Sequence, residues 1–404
     1  MGKNTFFTGQ PIFTQLLKFI PQSQVGKLAA QFQTDRYYKK FKTYDHLVTM
    51  LYTCFHGCKS LREVTTGMQV SFSKLIHLGI RSIPRRSTLS DANKARNEAF
   101  FGRLYHGLYS YYYGSLPDSQ KRKSMNERLF IVDSTTINLF SDVMKGMGMK
   151  PVNGKSKGGA KAHVLMKADE EVPRFVDLTH ATKNDRVILD QFTLESGSIV
   201  VFDKGYNNHR KMAQWDKQGV SWVTRLHNDA VYFKQGSNPV SARQQKNGVL
   251  ADENILMGRP SNKKTIKLLA RKITFAHADS GEIFEFITNN MKMSALTIAD
   301  IYKKRWQIEM LFKRIKQSYP LKYFLGDNEN AIKIQIWCSL ITDLLVKIVH
   351  DKIRRRKWSY ANLSSIIRLH LMSYVNLFGF LNNPEKALIN YDDRSFDPQL
   401  NLYT

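Results

Sequence analysis

At 404 residues the chain is too long for one small compact domain and long enough for two or three, each with its own core. Its 42% apolar and 24% charged residues match an ordinary globular mix, which excludes wholesale disorder and a fibrous or collagen-like chain. Charge is the departure: 61 Lys and Arg against 34 Asp and Glu leave a net +27, a surplus that repels itself unless a polyanion neutralises it. Nucleic acid is therefore the first partner class implied, and an anionic membrane the second.

The membrane reading is weak. The most apolar long stretch, residues 334–349, is interrupted by Asp343 and Lys347 and reads as a buried helix rather than a span. The first ten residues carry a lone Lys3 and no apolar run ending in small residues, so no secretory signal is visible and a cytosolic protein is expected. Three cysteines, Cys54, Cys58 and Cys338, argue against a disulfide framework. Cys54 and Cys58 flank His56, but the segment offers too few ligands for zinc, and buried helix cysteines are the better reading.

In chain order, residues 11–79 have a helical pattern: Ile12, Leu16, Leu17 and Ile20 recur at three and four residues, as do Leu47, Leu51, Cys54 and Phe55. Within it, Arg36-Tyr-Tyr-Lys-Lys-Phe-Lys42 interleaves cations with rings, which suits phosphate pairing plus stacking and equally suits a solvated helix end. Helical patterns at residues 60–68 and 71–78 lead to a third, with Ser87 or Thr88 as its expected cap and Lys94 and Arg96 as its cations, an arrangement like a helix-turn-helix. A boundary is expected near residue 120, where the period changes. Leu129-Phe-Ile-Val132 reads as a buried strand ending in Asp133-Ser-Thr-Thr136. Residues 144–160 form a Gly/Lys-rich loop, 163–166 and 175–178 paired strands, 185–192 a helix, and 198–202 a second buried strand ending at Asp203-Lys-Gly-Tyr206. A helix at 209–219 and a strand at 220–226 follow; residues 228–271 are polar and turn-rich, 272–275 and 283–288 return to strand, and 295–319 is a strong helix.

Two short motifs fail their context. Gly154-Lys-Ser156 lacks a glycine at the phosphate-loop spacing, since Gly148 is one residue too far, and no apolar strand enters the loop. Gly154-Lys-Ser-Lys-Gly158 matches a nucleophile elbow in letters but not in its strand–turn–helix setting. No His-Glu-x-x-His pair occurs, so a zinc protease has no support. What remains is carboxylates on apolar elements: Asp133 and Asp203 after strands, each alone most simply a turn or cap residue, and Glu309 inside the late helix. On that helix Tyr302, Arg305, Glu309 and Lys316 fall within one sector of about 60°, with Met310, Leu311 and Ile315 on other sectors to pack it. By geometry alone the face either lines a cleft or is an ion-paired surface. Two Asp and one Glu meet the needs of a phosphodiester-cleaving site, where two Mg²⁺ ions about 3.5–4 Å apart take hard oxygen ligands, with Arg305 and Lys316 holding phosphates and Tyr302 close by.

Tyr302-x2-Arg305-x3-Glu309-x6-Lys316 resembles the Y-R-E-K signature of the DDE transposases of the hairpin-forming insertion-sequence-four family, and the motifs at Asp133 and Asp203 resemble that family's first and second acid motifs. The resemblance covers about residues 125–345. It implies an α/β, ribonuclease-H-like catalytic core over 121–350, interrupted by a β-rich insertion at about 207–285, with an all-helical N-terminal DNA-binding domain over 1–120 and a helical C-terminal segment over 351–404 for dimerisation or DNA contact. It also implies Asp133, Asp203 and Glu309 as catalytic residues and metal ligands, two Mg²⁺ ions with Mn²⁺ able to substitute, and Tyr302, Arg305, Lys316 and Arg225 at DNA phosphates. Arg225 is alternatively a structural salt-bridge residue. A flipped base would stack on an insertion aromatic, but Trp215 falls on a helix, Trp222 on a strand, and no later tryptophan lies in the insertion.

The expectation is a cut-and-paste transposase of the bacterial cytosol or nucleoid. It would bind terminal inverted repeats, nick, form and reopen a hairpin, and join the 3′-hydroxyl to target DNA as a homodimer in a synaptic complex, with no membrane partner. Two alternatives are a catalytically silent DNA-binding regulator and a metal-dependent nuclease without joining activity.

Overall fold

The computed structural model describes residues 7–114, 125, 128–138, 159–168, 170–180, 185–258, 266–278 and 280–385. The boundary expected near residue 120 and nearly all of the Gly/Lys-rich loop, with both of its short motifs, lie outside the described residues. The chain divides into two compact units, one of residues Met1–Ser115 and Ile315–Thr404, the other of residues Leu116–Arg314.

The first unit is helical. Its amino-terminal part holds α1 (Ile12–Leu17), α2 (Gln22–Gln31), α3 (Thr43–His56), α4 (Leu61–Val70), α5 (Phe72–Leu75), α6 (Arg86–Ala95) and α7 (Ala99–Tyr113). Helix α3 is buried from Leu47 to Phe55, as the recurrence of apolar residues predicts. The cap of α4 is Ser60, whose hydroxyl accepts from Glu63 N–H at 3.2 Å. The expected cap of α6 is corrected. Its helix opens at Arg86, one residue before Ser87, so both Ser87 and Thr88 lie inside it and no side chain caps it. Arg96 is corrected as well: it is buried rather than presented to solvent.

Among its described residues the second unit is built on one nine-stranded sheet: β1 (Leu129–Asn138), β2 (Gly159–Lys167), β3 (Pro173–His180), β4 (Ile199–Phe202), β5 (Ser221–Arg225), β6 (Tyr232–Ser237), β7 (Val249–Met257), β8 (Leu268–Ala276) and β9 (Ile283–Thr288). The spatial order is β3-β2-β1-β4-β5-β9-β8-β7-β6. β1 to β3 form an antiparallel meander, β4 and β5 continue from β1 in parallel, and β6 to β9 extend the sheet in antiparallel fashion. The parallel strands need crossovers. Residues Asp185–Gln191, expected as an α-helix, supply a 3₁₀ turn before β4, and α8 (His209–Lys217) leads from β4 to β5. α8 turns Met212 and Trp215 into a core shared with Phe202, Val220 and Trp222.

A short helix, α9 (Ala242–Lys246), links β6 and β7. The expected single helix over 295–319 is two, α10 (Ala295–Lys304) and α11 (Trp306–Ser318), meeting at Arg305. There the backbone tightens: Arg305 N–H bonds to Tyr302 C=O at 3.0 Å and Ile308 N–H to Arg305 C=O at 3.2 Å, both three residues back.

The first unit resumes with α12 (Glu329–Lys352), α13 (Tyr360–Leu369) and α14 (Leu377–Asn382). α12 is buried from Ile334 to Val349, so it is apolar because the other helices of its unit surround it. Its interrupting Asp343 accepts hydrogen bonds from Tyr319 Oη at 3.3 Å and Tyr360 Oη at 2.5 Å. Among the described residues no helix is long and apolar enough to cross a membrane.

Candidate active site

The parallel pairing of β1 and β4 fixes the first two acids. The register sets Val132 against Phe202, and the next residue on each strand is Asp133 and Asp203, so both carboxylates emerge side by side at the carboxyl ends of a parallel pair. β4 stops there, and the Asp203 side chain accepts from Gly205 N–H at 3.2 Å, capping a 3₁₀ turn at Lys204–Tyr206. β1 does not stop. It runs on to Asn138, paired with β2, so the expectation that the strand ends at Asp133 is corrected. Asp133 sits mid-strand where one neighbouring strand has ended, and its Oδ1 accepts from Ser134 N–H at 2.8 Å.

The α10–α11 junction brings the other residues to these acids. Arg305 donates to Asp133 Oδ2 at 3.0 Å from one terminal nitrogen and to Glu309 Oε1 at 2.7 Å from the other. Tyr302 Oη donates to Asp203 Oδ1 at 3.4 Å, a long bond, and the Arg305 guanidinium lies 5.6 Å from the Tyr302 ring centre. The structure thus brings Asp133, Asp203, Tyr302, Arg305 and Glu309 together in the second unit. Arg305 is nearly buried, yet its Nε has no hydrogen-bond partner among the described residues. Lys316 falls in the last turn of α11, in the stretch assigned to the first unit, where burial lowers its pKa. Of the residues expected to pack α11, Leu311 and Ile315 are buried, whereas Met310 is 53% exposed.

Burial pushes the Asp133 carboxyl up to about 6, helped by the negative charges of Asp203 and Glu309 and opposed by the Ser134 N–H and Arg305. Burial works against the charge of Arg305 too, but Tyr302, Glu309 and Asp133 outweigh it and hold its pKa above the ordinary value. Burial also raises the Tyr302 phenol.

These residues fit a hard divalent cation in chemistry, since three carboxylates supply oxygen donors, and a cation would offset the burial that raises Asp133 first and the Asp203 and Glu309 charges that raise it further. They are not arranged as a ready cage: among the described residues no three acidic, histidine or cysteine side chains are grouped to hold a metal ion. Arg305 occupies an oxygen of Asp133 and one of Glu309 instead.

Arg225, at the end of β5, places its guanidinium 5.1 Å from the ring centre of Phe284. Its surroundings hold residues that sequence reasoning passed over. Asn207 donates to the Arg225 carbonyl at 3.2 Å and accepts from Thr224 Oγ1 at 3.1 Å, tying the loop after Asp203 to the end of β5. Phe286 supports the Tyr302 ring at 4.8 Å and lies beside Phe284, with ring centres 5.9 Å apart. The two-residue spacing of Phe284 and Phe286, one face of a strand, was the available signal. Both tryptophans weighed for stacking are fully buried in the core.

Residues 124–342 match the family model described as the transposase DDE domain, and residues 8–81 match one described as a domain of unknown function. The protein y4zB of Sinorhizobium fredii, named as a transposase, is 33% identical over 66% of this chain and 71% of its own length. A protein of Geobacillus stearothermophilus, named as a transposase for the insertion sequence element IS5377, is 25% identical over 62% of this chain and 64% of its own. One of Synechocystis, named as a transposase for the element IS4SA, is 27% identical over 65% and 71%. A solved piggyBac transposase synaptic complex with hairpin DNA aligns over 96% of this chain and 87% of that one, at 9% identity and a TM-score of 0.44.

Proposed function

The chain belongs to the family of proteins that carry the transposase DDE domain, and from that premise we propose that it is a DNA transposase whose catalytic acids are Asp133, Asp203 and Glu309. The observation that carries the reading is the strand register. A parallel pair in step at Val132 and Phe202 delivers two aspartates to one sheet end, where Arg305 links one of them to Glu309. A DDE domain is ribonuclease-H-like, and the partial order β3-β2-β1-β4-β5, antiparallel and then parallel, suits that assignment.

When bound by the three carboxylates, a divalent cation, Mg²⁺ with Mn²⁺ able to substitute, supplies Lewis-acid polarisation of the scissile phosphodiester. The remaining work falls to the chain. Arg305 has an unmatched Nε donor inside the site, and a phosphate oxygen is the anion of the proposed substrate that it suits. Tyr302 lies against Asp203, and Tyr302, Arg225 and Lys316 are the proposed contacts to DNA phosphates. The Y-R-E-K spacing supports a reading in the hairpin-forming insertion-sequence-four branch. The reaction is then nicking, hairpin formation, reopening and transfer of the 3′-hydroxyl to target DNA. The helices of the N-terminal domain bind the element's ends, the 207–285 insertion serves the hairpin, and two copies pair the ends.

Purified protein, duplexes of its element's ends and Mg²⁺ form the test. Cleavage followed by joining is expected from the wild type, and Asp133→Asn should abolish cleavage with end binding nearly intact. Cleavage without joining would leave only a nuclease, no cleavage would leave a DNA-binding regulator, and full cleavage by Asp133→Asn would refute the acid assignment.

A further inference from the structure

The cation-and-ring segment between α2 and α3 is not a frayed helix end. Its backbone is pinned from beneath by buried Arg96, which donates Nε to Thr34 C=O at 3.3 Å and its two terminal nitrogens to Lys42 C=O at 3.3 Å and Phe41 C=O at 2.8 Å. The same guanidinium lies 4.6 Å from the Tyr38 ring centre and 5.6 Å from that of Phe41. Asp35 closes the segment, its Oδ1 accepting from Thr43 N–H at 2.6 Å and Thr43 Oγ1 at 2.7 Å. One arginine fork on three carbonyls and one carboxylate at the exit make a fixed platform.

What the platform presents is sorted by polarity. Tyr38 and Phe41 turn inward, while Arg36, Tyr37, Lys39 and Lys40 face solvent. Tyr37 is 87% exposed and holds φ at 69°, in the left-handed region where a bulky residue is strained. Strain kept by a surrounding that over-determines it is a mark of a working position. Arg36 sits 5.0 Å from the Tyr37 ring centre, and among the described residues no carboxylate forms an ion pair with Arg36, Lys39 or Lys40. A merely solvated loop needs neither the buried fork nor an upturned ring.

We propose that residues 35–42 are a contact site for duplex DNA. Arg36, Lys39 and Lys40 meet backbone phosphates, and the Tyr37 ring lies against the sugar and base edges between them. The inference deepens the transposase reading, by naming a surface of the helical unit that takes DNA, and it places this contact within the segment matched by the domain of unknown function.

The test is fluorescence anisotropy of the full-length chain with a labelled duplex of its element's end, across a range of NaCl concentrations. Lys39→Ala/Lys40→Ala is expected to weaken binding about tenfold near physiological salt and to flatten the plot of log affinity against log salt by about 2, since each lost phosphate contact removes about 0.9. Tyr37→Leu is expected to weaken binding several-fold with the salt slope unchanged, and Tyr37→Phe to restore it. Circular dichroism and the thermal midpoint identify a misfolded variant, and Lys39→Gln/Lys40→Gln then serves in its place. Unchanged affinity and slope in a folded double variant overturn the proposal. So does equal binding of polyglutamate, which would make the loop a contact for an acidic protein. Loss of binding in the loop variants upholds this site even if the wild type cleaves nothing, so the two readings fail separately.

Discussion

Arg305 meets Asp133 at 3.0 Å across 172 residues of sequence, at the tightened turn where α10 gives way to α11. Because its other terminal nitrogen is committed to Glu309, the guanidinium spans two acids that a single ammonium could not hold in the same fork geometry. Arg305→Ala should lower single-turnover nicking of an end duplex by about 10²-fold, the scale of removing one preorganised charge stabiliser. Arg305→Lys should restore little of it. A nicking rate within twofold of wild type for Arg305→Ala would remove Arg305 from the site.

A second prediction concerns the charge at Asp133. Its carboxyl is pushed up to about 6 by burial, whereas in the unfolded chain it titrates near 4. The folded state therefore holds a proton that the unfolded state has lost between those values, and Asp133 lowers stability progressively as pH rises through this window. Asn reproduces the uncharged form. Without divalent ions Asp133→Asn should be more stable than wild type at pH 7.5, by roughly 1–3 kcal/mol, and indistinguishable from it below about pH 4. Thermal midpoints at the two pH values check this, and a less stable variant at pH 7.5 would show that the Arg305 pair outweighs burial.

The sequence made the parallel core legible because its strands are buried on both faces and read as unbroken apolar runs, as in Leu129 to Val132 and Ile199 to Phe202. The polar half of β1, from Asp133 to Asn138, was invisible because its partner is β2 alone, a pairing that no local pattern announces. β7 was lost in a polar stretch for a different reason. Asp252 is 3% exposed but looked solvent-bound, since its charge is matched by Arg271, whose Nε reaches it at 2.7 Å from β8. Spacing put Tyr302, Arg305 and Glu309 on one helix face and the two aspartates after apolar runs, but it could not show the break at Arg305, because every residue around it is a fair helix former. Arg96 was read as an exposed cation for the same local reason, while its three carbonyl partners lie more than fifty residues earlier.

The helical unit should carry its own acid sensitivity. His46 is fully buried, with Nε2 2.7 Å from Asn93 Oδ1, and burial followed by the Arg96 charge pushes its pKa down to about 3. In the unfolded chain it takes a proton below about 6.5. Its contribution to stability is thus whole above pH 6.5 and is lost as pH falls toward 3, amounting to about 2 kcal/mol by pH 5. His46→Gln, which cannot titrate, should unfold in urea with a visibly shallower dependence on pH between 6.5 and 4.5. An identical slope in both proteins would mean that the ring gains a proton without unfolding.

A tight contact between two helices of that unit gives the last prediction. Gly102 lies in α7 with its missing side chain facing Trp337 of α12, and a Cβ there would stand 2.9 Å from Trp337 Cε2 and 3.0 Å from Cζ2. The indole cannot swing away without losing the bond from its Nε1 to Glu98 Oε2 at 2.8 Å, and its ring is already wedged beside Tyr105, centres 5.9 Å apart. Alanine gains about 1 kcal/mol of helix propensity over glycine, but overpacking a filled core loses about 1–3. Gly102→Ala should therefore lower the thermal midpoint despite being a helix-favouring change. Trp337→Phe opens the space the methyl needs, so in the double variant the alanine should be neutral or stabilising, and a double-mutant cycle measures that coupling. Additive losses in the cycle would mean that the two helices do not meet at this pair.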